Sequence, residues 1–543
     1  MTALQSWSIA RALALTGALV LFAECAYADQ PPDPVGSDAN ENTAMGAGAL
    51  LGLTAGQYNT AAGHGALGAN SIGPFNTAIG DEALSLNTGG DSNTASGAYA
   101  LRFNTTGSSN TASGTAALYT NTVGIANTAT GLGALYDNTT GSNNLAEGYE
   151  TLYGNTTGSY NTACGTGAML FNKTGSSNTV SGYEALFSNT NHSRNTADGY
   201  QALYHSDGES NTAIGYQVLF SNTSSGENTG SGYQALYSNT TGTYNDAYGY
   251  QALYSSTTSN DNAAFGHQAL FSNTTGAAGT ATGYKALYSN TTGIDNLGSG
   301  SFALYANTTG NFNSALGFEA LLHNTYGASN TAVGRNALYA NMNGSDNIAV
   351  GDSAGYNLTT GSHNVDIANQ GIAGESGTIR IGAPSTQSTT YVAGITGSHV
   401  TGSAVYVTAG GQLGVLASSE RYKTSIAPLP DSADKLRRLR PVSFHLKSEP
   451  HGVVQYGLIA EEVERVYPEL VIRDDSGKIQ GVRYDELAPL LLSEVQQQRK
   501  AIAAQSERID LQGRQLAELM EINRTMQGAI LKLTAEGGRV AMR

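Results

Sequence analysis

"NTASGAYALRFNTTGSS", Asn93–Ser109, returns in altered form as "NTASGTAALYTNTVGIA", Asn110–Ala126. Aligned on NTAxGxxALxxNTTGxx, copies begin at Asn42, Asn59, Asn76, Asn93 and Asn110 and run on to Asn347, with a decayed copy at Asn364. The 17-residue period breaks once, in a 16-residue copy that starts at Asn195. Glycine holds the fifth position of all nineteen full copies, from Gly46 to Gly351. Leucine holds the ninth in seventeen of the first eighteen, and Met169 in the other.

Such spacing means one structural unit per repeat, each unable to bury its apolar face without its neighbours. A unit of this length is too short for a pair of helices, and fixed Gly and Asn weaken helices, so short strands joined by Gly turns are expected. The fold class is therefore mainly β: a parallel β-roll or solenoid of about twenty coils. The Gly column predicts positive φ or close packing. The Ala and Leu positions predict an internal apolar column, and the leading Asn an in-register amide ladder. Stacked at about 4.8 Å, twenty coils would span on the order of 95 Å. A mixed coil, with "NTAIG" as strand and "YQVLFSN" as one helical turn, is the alternative.

Composition agrees with a repeat protein. The chain has 543 residues, 68 of them Gly and 30 Tyr, and only 13% are charged. Its net charge of −16 is uneven: from Ser418 onward 19 Lys and Arg face 18 Asp and Glu, so the negative excess lies in the repeats. An acidic, Lys-poor body disfavours nucleic acid and anionic membranes as partners.

The N-terminus reads as a secretory signal over residues 1–28. Arg11 precedes an apolar run from Ala12 to Ala23, and "AYA" ending at Ala28 supplies small residues for cleavage before Asp29. A lipoprotein reading through Cys25 is weaker, because Glu24 stands where a small residue belongs. No transmembrane anchor is expected after signal removal, and the protein is placed outside the cell, secreted or at the surface. Removal of the signal leaves Cys164 as the one cysteine, which excludes an intrachain disulfide framework and is read as a small buried residue. Residues 29–41 form a Pro-rich linker to the repeats, assigned to 42–376.

Beyond them the texture changes. "TIRIG", "TTYVAGI" and "SAVYVTAGGQLGVL" read as strands between Gly turns, a β collar over 377–417. From Ser418 the chain resembles an ordinary α+β domain. "PVSFHLK" and "VVQYGLI" are expected as strands around "SEPHG", "AEEVERVY" as a short helix, and "ELVIRDDSGKIQGVRY" as a hairpin turning at Asp475–Gly477. A long helix follows with heptads over 488–533. Ala488, Val495, Ile502, Ile509, Leu516, Asn523 and Ile530 share one position; Leu491, Gln498, Gln505, Gln512, Leu519, Met526 and Leu533 share the other. The pattern predicts a coiled coil whose Gln and Asn layers trade stability for register and strand number.

Two resemblances bear on function. The "NTAxGxxAL" core over residues 42–365 resembles the left-handed β-roll heads of trimeric autotransporter adhesins, although the C-terminus lacks that family's membrane-anchoring strands. "SSERYKTSI", "YGLIAEEVERVYPELV" and "VRYDELAPLLLSEV" resemble, over residues 418–510, the intramolecular chaperone auto-processing domain of phage endosialidase tailspikes and tail fibres. That resemblance implies a domain that trimerises, helps a β-rich stalk fold in register, and then cuts itself off through a Ser-Lys dyad. By motif Ser418 matches the nucleophile and Lys423 the general base, with the scissile bond at Ala417–Ser418. Ser419 stands where the family often has Asp. The chemistry is coherent: a serine hydroxyl needs a base, and a lysine serves only when burial or a nearby positive charge, such as Arg421, keeps it neutral.

The reading is thus a secreted homotrimeric fibre or adhesin-like protein that matures by self-cleavage, with no turnover enzyme in the stalk and no cofactor or metal. Surface glycans or host receptors are the candidate external partners. The alternative is a tailspike-like glycan-binding or glycan-degrading protein, but Asp81, Glu82, Glu147 and Asp198 fall at scattered repeat positions and no carboxylate pair recurs. A tyrosine column, including Tyr136, Tyr237, Tyr254 and Tyr288, is read as a ladder packing coil on coil in preference to a sugar-stacking platform.

Overall fold

The computed structural model describes residues 36–540, apart from 384–385, 388, 394–403, 409, 430–432 and 475. The signal sequence, the Ala28–Asp29 junction, Cys25 and part of the linker lie outside the described residues, as does part of "TTYVAGI". The chain divides into two compact units between Thr390 and Tyr391.

The first unit is a parallel β-solenoid. Strands β2 (Thr43–Met45) to β22 (Ile379–Ile381) form one sheet with the short strand β1 (Gly36–Ser37), which pairs antiparallel with β2. Each parallel pairing sets like on like: Thr94 meets Thr111 and Ala95 meets Ala112. The remainder of each coil is a run of turns and not a helix, yet it too hydrogen-bonds coil to coil. Gly97 N donates to the Ile79 carbonyl at 2.8 Å, and Leu84 N to the Ala100 carbonyl at 2.9 Å. The 16-residue copy keeps strand register, Thr196 opposite Thr212, so the deletion is absorbed in its turn. The segment "TIRIG" continues the stack, because Ile379–Ile381 pairs in parallel with Val365–Ile367. The solenoid therefore runs past residue 376.

Three columns hold the coils together. Ala and Leu side chains, such as Ala95, Ala100 and Leu101, are fully buried and make a continuous core. The leading asparagines form the expected ladder: Asn59 donates from its backbone N and Nδ2 to Asn42 Oδ1 at 2.8 and 3.0 Å. A second ladder at the twelfth position was not anticipated, in which Asn87 Nδ2 donates to Asn70 Oδ1 at 2.8 Å. The Gly90 carbonyl accepts from Asn76 and Asn87 and ties the two ladders together.

The glycine column has a steric cause. Gly80 sits at φ +137°, and a Cβ there would stand 2.5 Å from the Gly97 carbonyl oxygen. The ninth-position leucines also have positive φ, +51° at Leu84 and Leu101. For an L-residue this costs about 1–2 kcal/mol, which full burial of the side chain, worth about 1.5–3 kcal/mol, offsets.

Among its described residues the second unit has three hairpins and one long helix. β23 (Tyr406–Val407) pairs with β24 (Leu413–Gly414) within "SAVYVTAGGQLGVL". β25 (Val442–Phe444) pairs with β26 (Gln455–Gly457), and β27 (Val471–Arg473) with β28 (Ile479–Val482) through a bulge. Short helices α1 (Ala433–Leu436) and α2 (Ala460–Glu464) precede α3 (Tyr484–Val540). A small core of Val463, Val466, Tyr467, Leu470, Val471, Val482 and Leu487 joins α2, the last hairpin and the start of α3. Tyr484 ties α3 to the end of the β25–β26 pair by accepting from Leu458 N at 2.7 Å.

Candidate self-processing site

Ser418 and Lys423 come together through one tight turn. Residues Glu420–Tyr422 form a 3-10 helix in which Tyr422 N donates to the Ser419 carbonyl and Lys423 N to the Glu420 carbonyl, each at 3.0 Å. That turn reverses the chain, and Lys423 Nζ donates to Ser418 Oγ at 3.3 Å. Ser419 makes no side-chain cap on the turn. Arg421 packs its guanidinium over the Tyr422 ring, 4.6 Å from the centroid. Ala417, Ser418 and Lys423 are all exposed in the single chain. A hydroxyl and an amine at this distance can exchange a proton.

Residues 418–472 match the family described as chaperone of endosialidase. No curated protein and no solved structure matches the chain. The matched segment begins at Ser418 and takes in Lys423, the β25–β26 hairpin and α2, and it ends within β27 at Ile472. This chain therefore joins such a segment to a long β-solenoid.

The remaining candidates separate. Asp81 faces His64 at 3.1 Å and Glu82 faces Arg102 at 2.5 Å, both on the solenoid surface. Glu147 and Asp198 are exposed ends of strands in other coils. Cys164 is half-buried where full burial was expected, because it ends its strand on the outer side. Its thiol lies 3.8 Å from Glu147 Oε2. Burial first, then the Glu147 charge, push the thiol pKa up, away from a reactive thiolate. The tyrosine column does pack coil on coil, with Tyr119, Tyr136 and Tyr153 stacked at 4.8 Å between centroids. The Asn-x-Thr triplets lie on the second ladder; Asn104 is fully buried, with Nδ2 bound to Asn87 Oδ1 and the Gly107 carbonyl. Among the described residues no helix is long and apolar enough to cross a membrane, and no three His, Cys, Asp or Glu side chains gather to hold a metal ion.

Proposed function

We propose that this protein is a secreted or surface-exposed homotrimeric fibre, adhesin-like or tail-fibre-like, whose C-terminal module directs assembly and then releases itself at Ala417–Ser418. The observation that carries the reading is the Ser418–Lys423 pairing at 3.3 Å, at the start of the segment matched to the chaperone of endosialidase.

In the proposed reaction Lys423 takes the Ser418 hydroxyl proton as Oγ attacks the Ala417 carbonyl carbon. The C–N bond breaks, the Ser418 nitrogen gains a proton and leaves as an amine, and the resulting ester is hydrolysed by water. Nucleophile and target are adjacent in the chain, so the attack gains from proximity and happens once per molecule. Lys423 is exposed in the single chain; packing of neighbouring copies around it completes the site in this reading and couples cutting to assembly.

The means of assembly is α3. Val495, Ile502, Ile509, Leu516 and Ile530 are each about half exposed or more along one helix, which is the unfavourable state of a heptad seam without its partners.

Intact mass spectrometry tests the cleavage. Wild type yields a fragment Ser418–Arg543 of 126 residues; Ser418→Ala and Lys423→Ala stay whole, and Ser419→Ala is cut. Cutting fails at acidic pH, where a general base is protonated. Processing of Ser418→Ala at the wild-type rate would refute the assignment.

A further inference from the structure

The proposed cut does not fall at a boundary of the fold. The second compact unit begins at Tyr391, so the residues from Tyr391 to Ala417 pack with the module, yet a cut at Ala417–Ser418 leaves them on the solenoid. A noncovalent link must therefore open after the peptide bond breaks.

The segment on the solenoid side holds the β23–β24 hairpin, in which Tyr406 pairs with Gly414 and Val407 with Leu413. Its turn is closed at Thr408, whose carbonyl accepts from Gly411 N at 2.9 Å and whose Oγ1 accepts from Gln412 N at 3.1 Å. Side chains alternate along a strand, so Tyr406 faces opposite to Val405 and Val407. Val405 and Val407 are each 64% exposed and Leu413 68%, whereas Tyr406 is 36% exposed. The hairpin is thus not fastened to the module by its aliphatic residues. What it offers is the Tyr406 hydroxyl, which hydrogen-bonds the Asp485 carboxylate. Asp485 stands in the first turn of α3, beside Tyr484, which ties the same turn to Leu458. The bond to Asp485, then desolvation and the Asp485 charge, push the Tyr406 pKa up, so the phenol keeps the proton it donates.

We propose that Tyr406 and Asp485 form a clasp across the cut, so that self-cleavage yields a nicked complex and the module leaves in a second, slower step; the proposal rests on the self-processing trimer proposed above. Tyr406 lies upstream of Ala417–Ser418 and Asp485 downstream, so this bond joins the two products of the reaction. An exposed bond of this kind holds little by itself. In a trimer three copies of it join the same two bodies, and each one that opens is kept near its partner by the other two, so dissociation waits for all three. The exposure of the hairpin's aliphatic residues also makes the clasp releasable, because little apolar surface is uncovered when it opens.

Size-exclusion chromatography of the full-length protein after processing, with intact masses of each peak, tests the clasp. Wild type should be cut, and the fragment Ser418–Arg543 should co-elute with the part ending at Ala417. Tyr406→Phe and Asp485→Asn should be cut as wild type is and should each release the fragment about tenfold faster. The double variant should gain nothing further, because both changes remove the same bond. A fragment that leaves wild type as fast as it leaves Tyr406→Phe, or that stays with both variants, would overturn the clasp while self-processing stands. A wild type that is never cut would overturn self-processing instead. A protease site inserted between Ala417 and Ser418 then supplies the nick: co-elution lost in Tyr406→Phe supports the clasp, and immediate separation of the unsubstituted chain overturns it.

Discussion

Asp366→Ala should stabilise the last coils of the solenoid at neutral pH and lose most of that benefit in acid. Asp366 lies on the strand Val365–Ile367, in register with Ala349, where every earlier coil places a small apolar residue or Val180. It is 1% exposed, and neither carboxylate oxygen has a hydrogen-bond partner. Space for it exists because Gly355 replaces the usual leucine; a Cβ on Gly355 would lie 3.4 Å from Asp366 Oδ2. Arg380 sits opposite on the next strand, but its guanidinium is held by Glu375 at 2.7 Å. Burial, reinforced by the Glu375 charge and opposed by Arg380, pushes the Asp366 pKa up to about 6 from 3.8. Because the folded value is the higher one, the end coils are most stable below about pH 4, lose stability as pH rises to about 6, and carry the full cost above it. A shift of about 2 units is worth on the order of 3 kcal/mol. Alanine removes that cost but leaves a space, a penalty independent of pH, so the comparison is made between two pH values.

Repeat stacks open locally, so a global melting temperature is the wrong readout. Hydrogen exchange of peptides covering Val365–Ile367 should show the variant-to-wild-type protection ratio rising about 100-fold from pH 4 to pH 8. A ratio that is flat with pH would refute the reasoning.

The second Asn ladder is broken where Ser256 replaces Asn, leaving the Asn239 Oδ1 buried without a donor; Ser256→Asn with Ser259→Gly should add about 1–2 kcal/mol of local stability, while Ser256→Asn alone should gain less, because Ser259 Oγ, now 2.6 Å from Ser256 Oγ, would crowd the new amide. Gly114→Ala, at φ +134° with the Gly131 carbonyl oxygen 2.5 Å from the added Cβ, should cost about 3 kcal/mol or more and show as protease cleavage in the adjoining coils. Ile502→Asp with Ile509→Asp should convert the proposed trimer to monomer by light scattering and abolish self-cleavage, whereas the same change at the exposed, off-seam Ser506 should do neither.

What was legible in the sequence follows from what side chains report. Period, polarity and glycine are written directly: the Gly80 column, the buried Ala95 and Leu101, and the Asn59 ladder could all be read from spacing. The αL leucines could not, because leucine announces burial and says nothing of φ; Leu84 takes that conformation only because the coil's closure demands it. The Asn87 ladder was present as the "N" of NTT, a turn signal that masks a buried one. The stack's extension to Ile381 was hidden by a shortened, decayed final copy. For Ser418 and Lys423 a separation of five residues carries no information until a 3-10 turn brings the ends together.

The same regularity explains why a solenoid of this kind would carry an assembly module. Its core is closed inside each chain, with Ala and Leu columns fully buried, so a single copy has no need of a partner to fold. Between copies the repeats are nearly degenerate. A slip of one coil brings the same outward positions of the repeat opposite one another again, so pairing between copies discriminates weakly between registers. The short copy at Asn195 breaks the degeneracy at one point of the stack. In the proposed trimer, register must therefore come from a place where the chain does not repeat. The heptads of α3 change residue type from layer to layer, with Gln498, Gln505 and Gln512 followed by Leu519, so a shift by one heptad sets amide against leucine. A module that aligns the chains once, and is then cut away at Ser418, meets that need without remaining in the finished fibre.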